Sequence, residues 1–227
     1  MGLYYAWTPD IVSSPFGDWL VVDHTEDTGG WLFAGDLYVD GNDDVHVLYH
    51  RAPIGLQLRD GHFPDIPRTF ALCYARLRGG ELLMKTALAE GGEGTGTDVV
   101  PYDLSGEDAT IEWQGQRINP SRVGTPRFWI APDERLFALY YTSGTDREGC
   151  PVSENRLTEI RHDGTAGTTE RVPLDNPLSQ FFTATERAGS KVSDVVDMLG
   201  YRAGEYTPLS DKPLAVSYAR LRITTGG

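Results

Sequence analysis

Short runs rich in Val, Leu, Phe, Tyr, Trp and Thr recur along the chain, separated by turns that carry Gly and Pro. This pattern predicts a many-stranded antiparallel protein. The runs also repeat in order. ALCYARLRGG (71–80) returns as AVSYARLRIT (215–224), with weaker relatives in LYYAWTPD (3–10) and NRLTEIRHDG (155–164). Superposing Tyr5, Tyr74, Leu157 and Tyr218 gives spacings of 69, 83 and 61 residues. A second strand type precedes the last three copies, as VHVLYHR (45–51), LFALYYT (136–142) and VDMLGYR (196–202). Before it stands a third type: WLFAGDLYVD (31–40), TPRFWIAPD (125–133) and SQFFTATERA (179–188). DGNDD (40–44) and PDER (132–135) read as tight hairpin turns joining the third type to the second. DWLVVDH, ELLMKTAL and TTERVPL read as outer strands. SDVVDML (193–199) also reads as a helical turn, which would weaken the strand assignment there.

Three or four short antiparallel strands, repeated several times, describe the blades of a β-propeller. A blade hides only one face against its neighbour, so blades need a ring or a stack to remove apolar surface from water. The competing architecture, a two-sheet sandwich, gives no reason for strands to recur in the same three-part order. The expectation is therefore an all-β propeller of four-stranded antiparallel blades, with units near 1–24, 31–90, 121–174 and 179–223. These amount to about three and a half blades, against the four to eight of a typical ring. The chain is read as a single propeller domain or the C-terminal part of one. Three explanations fit: a fragment of a longer protein, two chains completing one ring, or closure of the N-terminal strand on the last unit. The fragment reading is favoured, and an incomplete ring would tend to self-associate.

An apolar fraction of 40% and an aromatic fraction of 11% suffice for a folded core. Charge narrows the partners. With 33 acidic against 20 basic side chains the formal net charge is -13, which argues against binding nucleic acid or an anionic membrane. The opening residues MGLYYAWTPD lack the regions of a signal peptide, and no apolar run approaches a bilayer's span. Cys73 and Cys150 read as free thiols, Cys73 packing as a small hydrophobe, and no CxxC pair suggests zinc. No cofactor is expected. EGGEGTGTD (90–98) is Gly-rich but precedes no helix, and DGNDD lacks the glycine and closing glutamate of a calcium loop. His46, inside a strand, reads as a satisfied structural side chain, and core packing is the default role of the five tryptophans, although one at the mouth could stack on a sugar ring.

GDLYVDGNDDVHVLYHR, RFWIAPDERLFALYYTSGTD, SENRLTEIRHDG and the terminal SYARLRI resemble bacterial sialidase-like propellers with BNR-type repeats. FFTATERAGSKVSDVVDMLGY is similar to a late blade of such proteins. The resemblance spans most of residues 31–223 and implies a carbohydrate substrate or ligand, in an extracellular or periplasmic setting. That group includes glycoside hydrolases, polysaccharide lyases and non-catalytic propellers. The sialidase Asp box is met at Thr25, Asp27 and Gly29, but Trp31 comes one place early.

In a propeller, the loops leaving second strands and entering first strands open on one face. Here those loops hold His24, His50, His62, Arg51, Arg59, Arg117, Arg122, Tyr141, Tyr201 and Arg202. Aligning Leu48, Leu139 and Leu199 makes His50, Tyr141 and Tyr201 equivalent, with Arg51 and Arg202 next to two of them. His50, Tyr141 and Tyr201 are the candidate acid–base groups; Arg51, Arg122, Arg202, His24 and His62 are candidate substrate contacts. An arginine would hold a uronate carboxylate while His or Tyr moves the proton, as in a lyase. A glycosidase would instead need two carboxylates, for which Asp23, Asp27, Asp60, Asp65, Asp146 and Glu205 are available. Against each role stands a structural one, in which the tyrosines cap strand ends and the arginines are solvated rim charges. A non-catalytic module that binds glycan or protein is the alternative function.

Overall fold

The computed structural model describes residues 1–25, 29–54, 61–67, 69–92, 111–113, 116–118, 122–145, 151–184, 193–202 and 215–224. Strands β1 (Gly2–Tyr5) and β2 (Leu20–His24) pair as sheet I. Sheet II runs β3 (Gly29–Val39), β4 (Val45–Ile54), β5 (Thr69–Arg78) and β6 (Glu81–Gly92) in chain order. A small hairpin, β7 (Ile111–Trp113) with β8 (Gln116–Ile118), follows. Sheet III is β9 (Arg122–Ile130), β10 (Leu136–Thr145), β11 (Pro151–Ile160) and β12 (Ala166–Arg171). Sheet IV is β13 (Leu178–Ala184), β14 (Val195–Arg202) and β15 (Val216–Arg222). Every pairing is antiparallel, so the fold is all-β.

Three of the hairpin turns share one geometry. The amide of the first residue donates to the carbonyl of the fifth, and the amide of the fourth donates back to the first. This holds for Asp40–Asp44, Ala131–Arg135 and Arg161–Thr165. The fourth residue sits at positive φ each time: Asp43 at 63°, Glu134 at 67° and Gly164 at 78°. Three-residue hairpin loops built this way need a left-handed residue there. In DGNDD the Asp40 carboxylate also accepts the Asn42 and Asp44 amides at 2.8 and 2.9 Å, so this is a turn, as the sequence reads.

Strand alternation then builds the core. Val45, Val47 and Tyr49 of β4 face sheet I, packing with Val22, Leu3, Tyr5 and Leu20. Leu48, between them in the chain, faces sheet III with Leu72 and Tyr74, against Phe128, Ala138 and Tyr140. In sheet III the neighbours of those residues, Phe137, Leu139 and Tyr141, meet Leu178, Phe181, Val196 and Met198 of sheet IV. Sheets II and III thus bury both faces. Burying one such Leu or Phe side chain contributes about 2 kcal/mol.

Polar clasps join the sheets as well. Between II and III, Asp36 accepts the Phe128 amide at 2.9 Å, and the Arg127 guanidinium donates to the Gly35 carbonyl. Between III and IV, buried Asn155 donates to the Leu178 carbonyl at 2.9 Å and accepts its amide at 2.8 Å.

Two expectations are corrected. SDVVDML is not a helical turn, since Val195–Arg202 forms the middle strand of sheet IV, where Val196 and Met198 are buried by two-residue alternation. Trp129 is core, but Trp7 and Trp19 are exposed because both lie in the segment between β1 and β2, outside any sheet.

Candidate functional site

The second-type strands are in equivalent register. Leu48 pairs with Tyr74, Leu139 with Leu157, and Leu199 with Tyr218. His50, Tyr141 and Tyr201 therefore hold matching places, each on the side of its sheet that faces away from the preceding sheet. Their surroundings differ. Tyr141 is fully buried between sheets III and IV, with its hydroxyl 2.9 Å from Ser153 Oγ. Tyr201 lies on the outer side of sheet IV, paired with Val216. Arg51 follows His50 directly, so alternation sends it to the opposite side of sheet II, where its Nε is 3.6 Å from Asp23. Arg202 is exposed and donates to Ser217 Oγ at 3.1 Å. His24 and His62 are exposed on separate segments. Arg59, Asp27, Asp60, Asp146, Glu205 and Cys150 lie outside the described residues, as do the side chains of Arg117 and Arg122.

Among the described residues, a charged group near that end of the strands is centred on Asp23. Its carboxylate is buried between sheets I and II and accepts Lys85 Nζ at 2.8 Å, Tyr49 Oη at 2.9 Å and the His24 amide at 2.9 Å. Burial works to raise this carboxyl, but the lysine, the tyrosine and the amide outweigh it and hold the pKa below its usual value. Tyr49, buried against this carboxylate, is pushed well above an ordinary phenol. Burial raises the adjacent Cys73 thiol to about 11, so it packs as an inert side chain. The cluster is a clasp between two sheets, like Asn155.

A second polar group lies between sheets II and III. His46 Nδ1 is 2.8 Å from Tyr74 Oη, and its Nε2 is 3.4 Å from Asp40. Burial lowers the imidazole pKa and raises the Tyr74 hydroxyl to about 12, so both stay neutral at pH 7. Tyr38 and Phe128 enclose the ring, as expected of a structural histidine. Among the described residues no group of three or more His, Cys, Asp or Glu is placed to hold a metal ion.

A recess opens at the opposite ends of the strands, beside the hairpin turns. It encloses about 560 Å³ and is lined by Tyr5, Trp7 and Pro9 on one side and by Val39, Asn42, Asp43 and Arg78 on the other. Trp7 is 43% exposed. Its loop is fixed by the Trp7 carbonyl accepting the Gly17 amide at 2.9 Å, and by Asp10 accepting the Val12 amide at 2.9 Å. Asn42 and Asp43 are carried on the hairpin tip, and Arg78 is ion-paired with Asp44. Allowing that one tryptophan could stack on a sugar did not single out Trp7 or this recess. The signal was present: WTPD is an aromatic set among turn formers, outside any alternating run.

Comparison with protein-family models, curated proteins and solved structures returned no match for this chain.

Proposed function

We propose that the successive sheets are blades of a β-propeller, and that the module recognises carbohydrate by binding an uncharged oligosaccharide in the Trp7 recess. The carrying observation is the composition of that recess: an accessible indole and a tyrosine facing an amide, a carboxylate and a guanidinium. An indole offers an apolar, electron-rich face to the C–H groups of a sugar ring. Planar polar groups at the rim pair with ring hydroxyls and fix orientation. The volume lies within the range of small-ligand sites. Asp44 neutralises Arg78, and the whole chain is strongly acidic, so neither the site nor the long-range field attracts a uronate or sialate. Binding rather than cleavage is favoured because Tyr141 is closed off from solvent and the arginines nearest the candidate acid–base groups already have partners.

Calorimetric titration with neutral and uronate oligosaccharides tests this. A neutral glycan should bind, and Trp7→Ala should weaken it by at least about tenfold, one lost stacking contact. Binding that Trp7→Ala leaves unchanged, or no neutral ligand at all, overturns the assignment. Release of unsaturated uronate from an acidic polysaccharide would instead establish lyase cleavage and move the site to the His50 end.

A further inference from the structure

Among the residues lining the Trp7 recess, Arg78 is the cation and Asp43 the carboxylate. The Arg78 side chain is 54% exposed, so its charge would ordinarily be open to a ligand. It is held instead by Asp44, a carboxylate that does not itself line the recess.

The turn fixes Asp44 in place. Its amide donates to Asp40 Oδ1 at 2.9 Å, and its carbonyl accepts the Asp40 amide at 3.0 Å. Val45 pairs with Leu77, so Asp44 and Arg78 stand opposite one another one place beyond, where β4 begins and β5 ends. Arg78 Nε donates to Asp44 Oδ1, whereas Asp40 and Asp43 act on the guanidinium only through space. Arg76, on the same strand, has its Nε 3.8 Å from the other Asp44 oxygen and donates to the His162 carbonyl of sheet III at 3.3 Å. The buried Asp44 carboxylate is therefore pinned between two arginines and cannot swing aside for an incoming anion. Its charge is also poorly screened there, because a buried group is shielded little by salt.

We propose that Asp44 is the positioning residue that sets the charge selectivity of the recess, holding Arg78 so that it offers hydrogen bonds to sugar hydroxyls and no net charge to a sugar carboxylate. This rests on the glycan reading of the recess and adds the residue that decides which glycans it admits. A uronate meets an arginine already neutralised and, beside it, the like charge of Asp43. Asparagine at position 44 would keep an oxygen to accept Arg78 Nε–H while removing the charge, so the guanidinium would stay in place and become an anion contact.

Calorimetry with cellohexaose, mannohexaose, β-1,4-galactohexaose and maltohexaose, each paired with its C6-oxidised uronate form, tests this at low salt. The wild type should favour the neutral member of a bound pair by at least about tenfold. Asp44→Asn should raise the uronate-to-neutral affinity ratio about fivefold, the worth of one partly exposed ion pair. Salt of about 0.3 M should erase that gain, which a merely structural change would not show. Arg78→Gln, at an exposed position that folding tolerates, should move the ratio the other way by a similar factor, because Asp44 is then uncompensated. A ratio that stays put in either variant, or moves in the same direction in both, overturns the inference while leaving the glycan site standing. Failure of every neutral hexaose to bind the wild type overturns the glycan reading itself and the inference with it.

Discussion

His46 is buried with charged groups on two strands around it. Asp40 and Asp44 favour its protonated form, while Arg76 and burial oppose it, and burial is the largest effect. Its pKa in the folded chain therefore lies below the ordinary 6.5. As pH falls through that value the unfolded chain takes up a proton that the folded chain resists. The stability from the neutral ring is thus complete above the ordinary value and is lost progressively below it. Denaturant titrations at about pH 7.5 and about pH 5.5 should show the wild type losing more stability than His46→Gln, which has no such proton to bind. Equal losses would mean that the imidazole does not titrate between the two states. Tyr74 belongs to the same device, since its hydroxyl is 2.8 Å from Nδ1 while its ring fills the gap between sheets II and III.

Strand β14 depends on the absence of a side chain at its centre. A Cβ on Gly200 would run into the carbonyl oxygen of Gln180 and approach the Phe181 Cα to 2.7 Å. Both are atoms of the neighbouring strand β13 and cannot rotate away. Gly200→Ala should therefore cost about 2 kcal/mol or more in equilibrium unfolding, as an overpacked core does. Gly41→Ala, at a hairpin tip with nothing within 4 Å, is the control and should change little. If the two cost the same, β13 yields more readily than a hydrogen-bonded strand should. The hairpins are locally encoded by contrast. DGNDD carries its own acceptor in Asp40 and tolerates positive φ at Asp43, and RHDGT supplies Gly164 at the same place.

Across the whole molecule, 33 acidic and 20 basic side chains leave a surplus that repels itself in the compact state. The named ion pairs offset only part of it. Raising sodium chloride from about 0.01 to about 0.2 M shortens the screening length several-fold, so Tm should rise. A flat or falling Tm would show that the ion pairs, which salt weakens, matter more than the surplus.

The order of the three repeated strand types was legible in the residues, because period-two alternation and turn chemistry act within a few positions, whereas the β7–β8 hairpin was not. The residues matched within each strand type, Tyr74, Leu157 and Tyr218 in one and Leu48, Leu139 and Leu199 in the other, stand opposite one another in the sheets. The site was less legible. Equivalence along the sequence marked His50, Tyr141 and Tyr201 as a set, but it could not say that Tyr141 would be closed beneath sheet IV or that Arg51 would turn to Asp23. Nor could it say that Trp7 would stand open above a hairpin tip. Local periodicity determines which side of a strand a residue occupies. Whether that side is covered is decided only when one sheet packs on another, and that contact joins residues far apart in the chain.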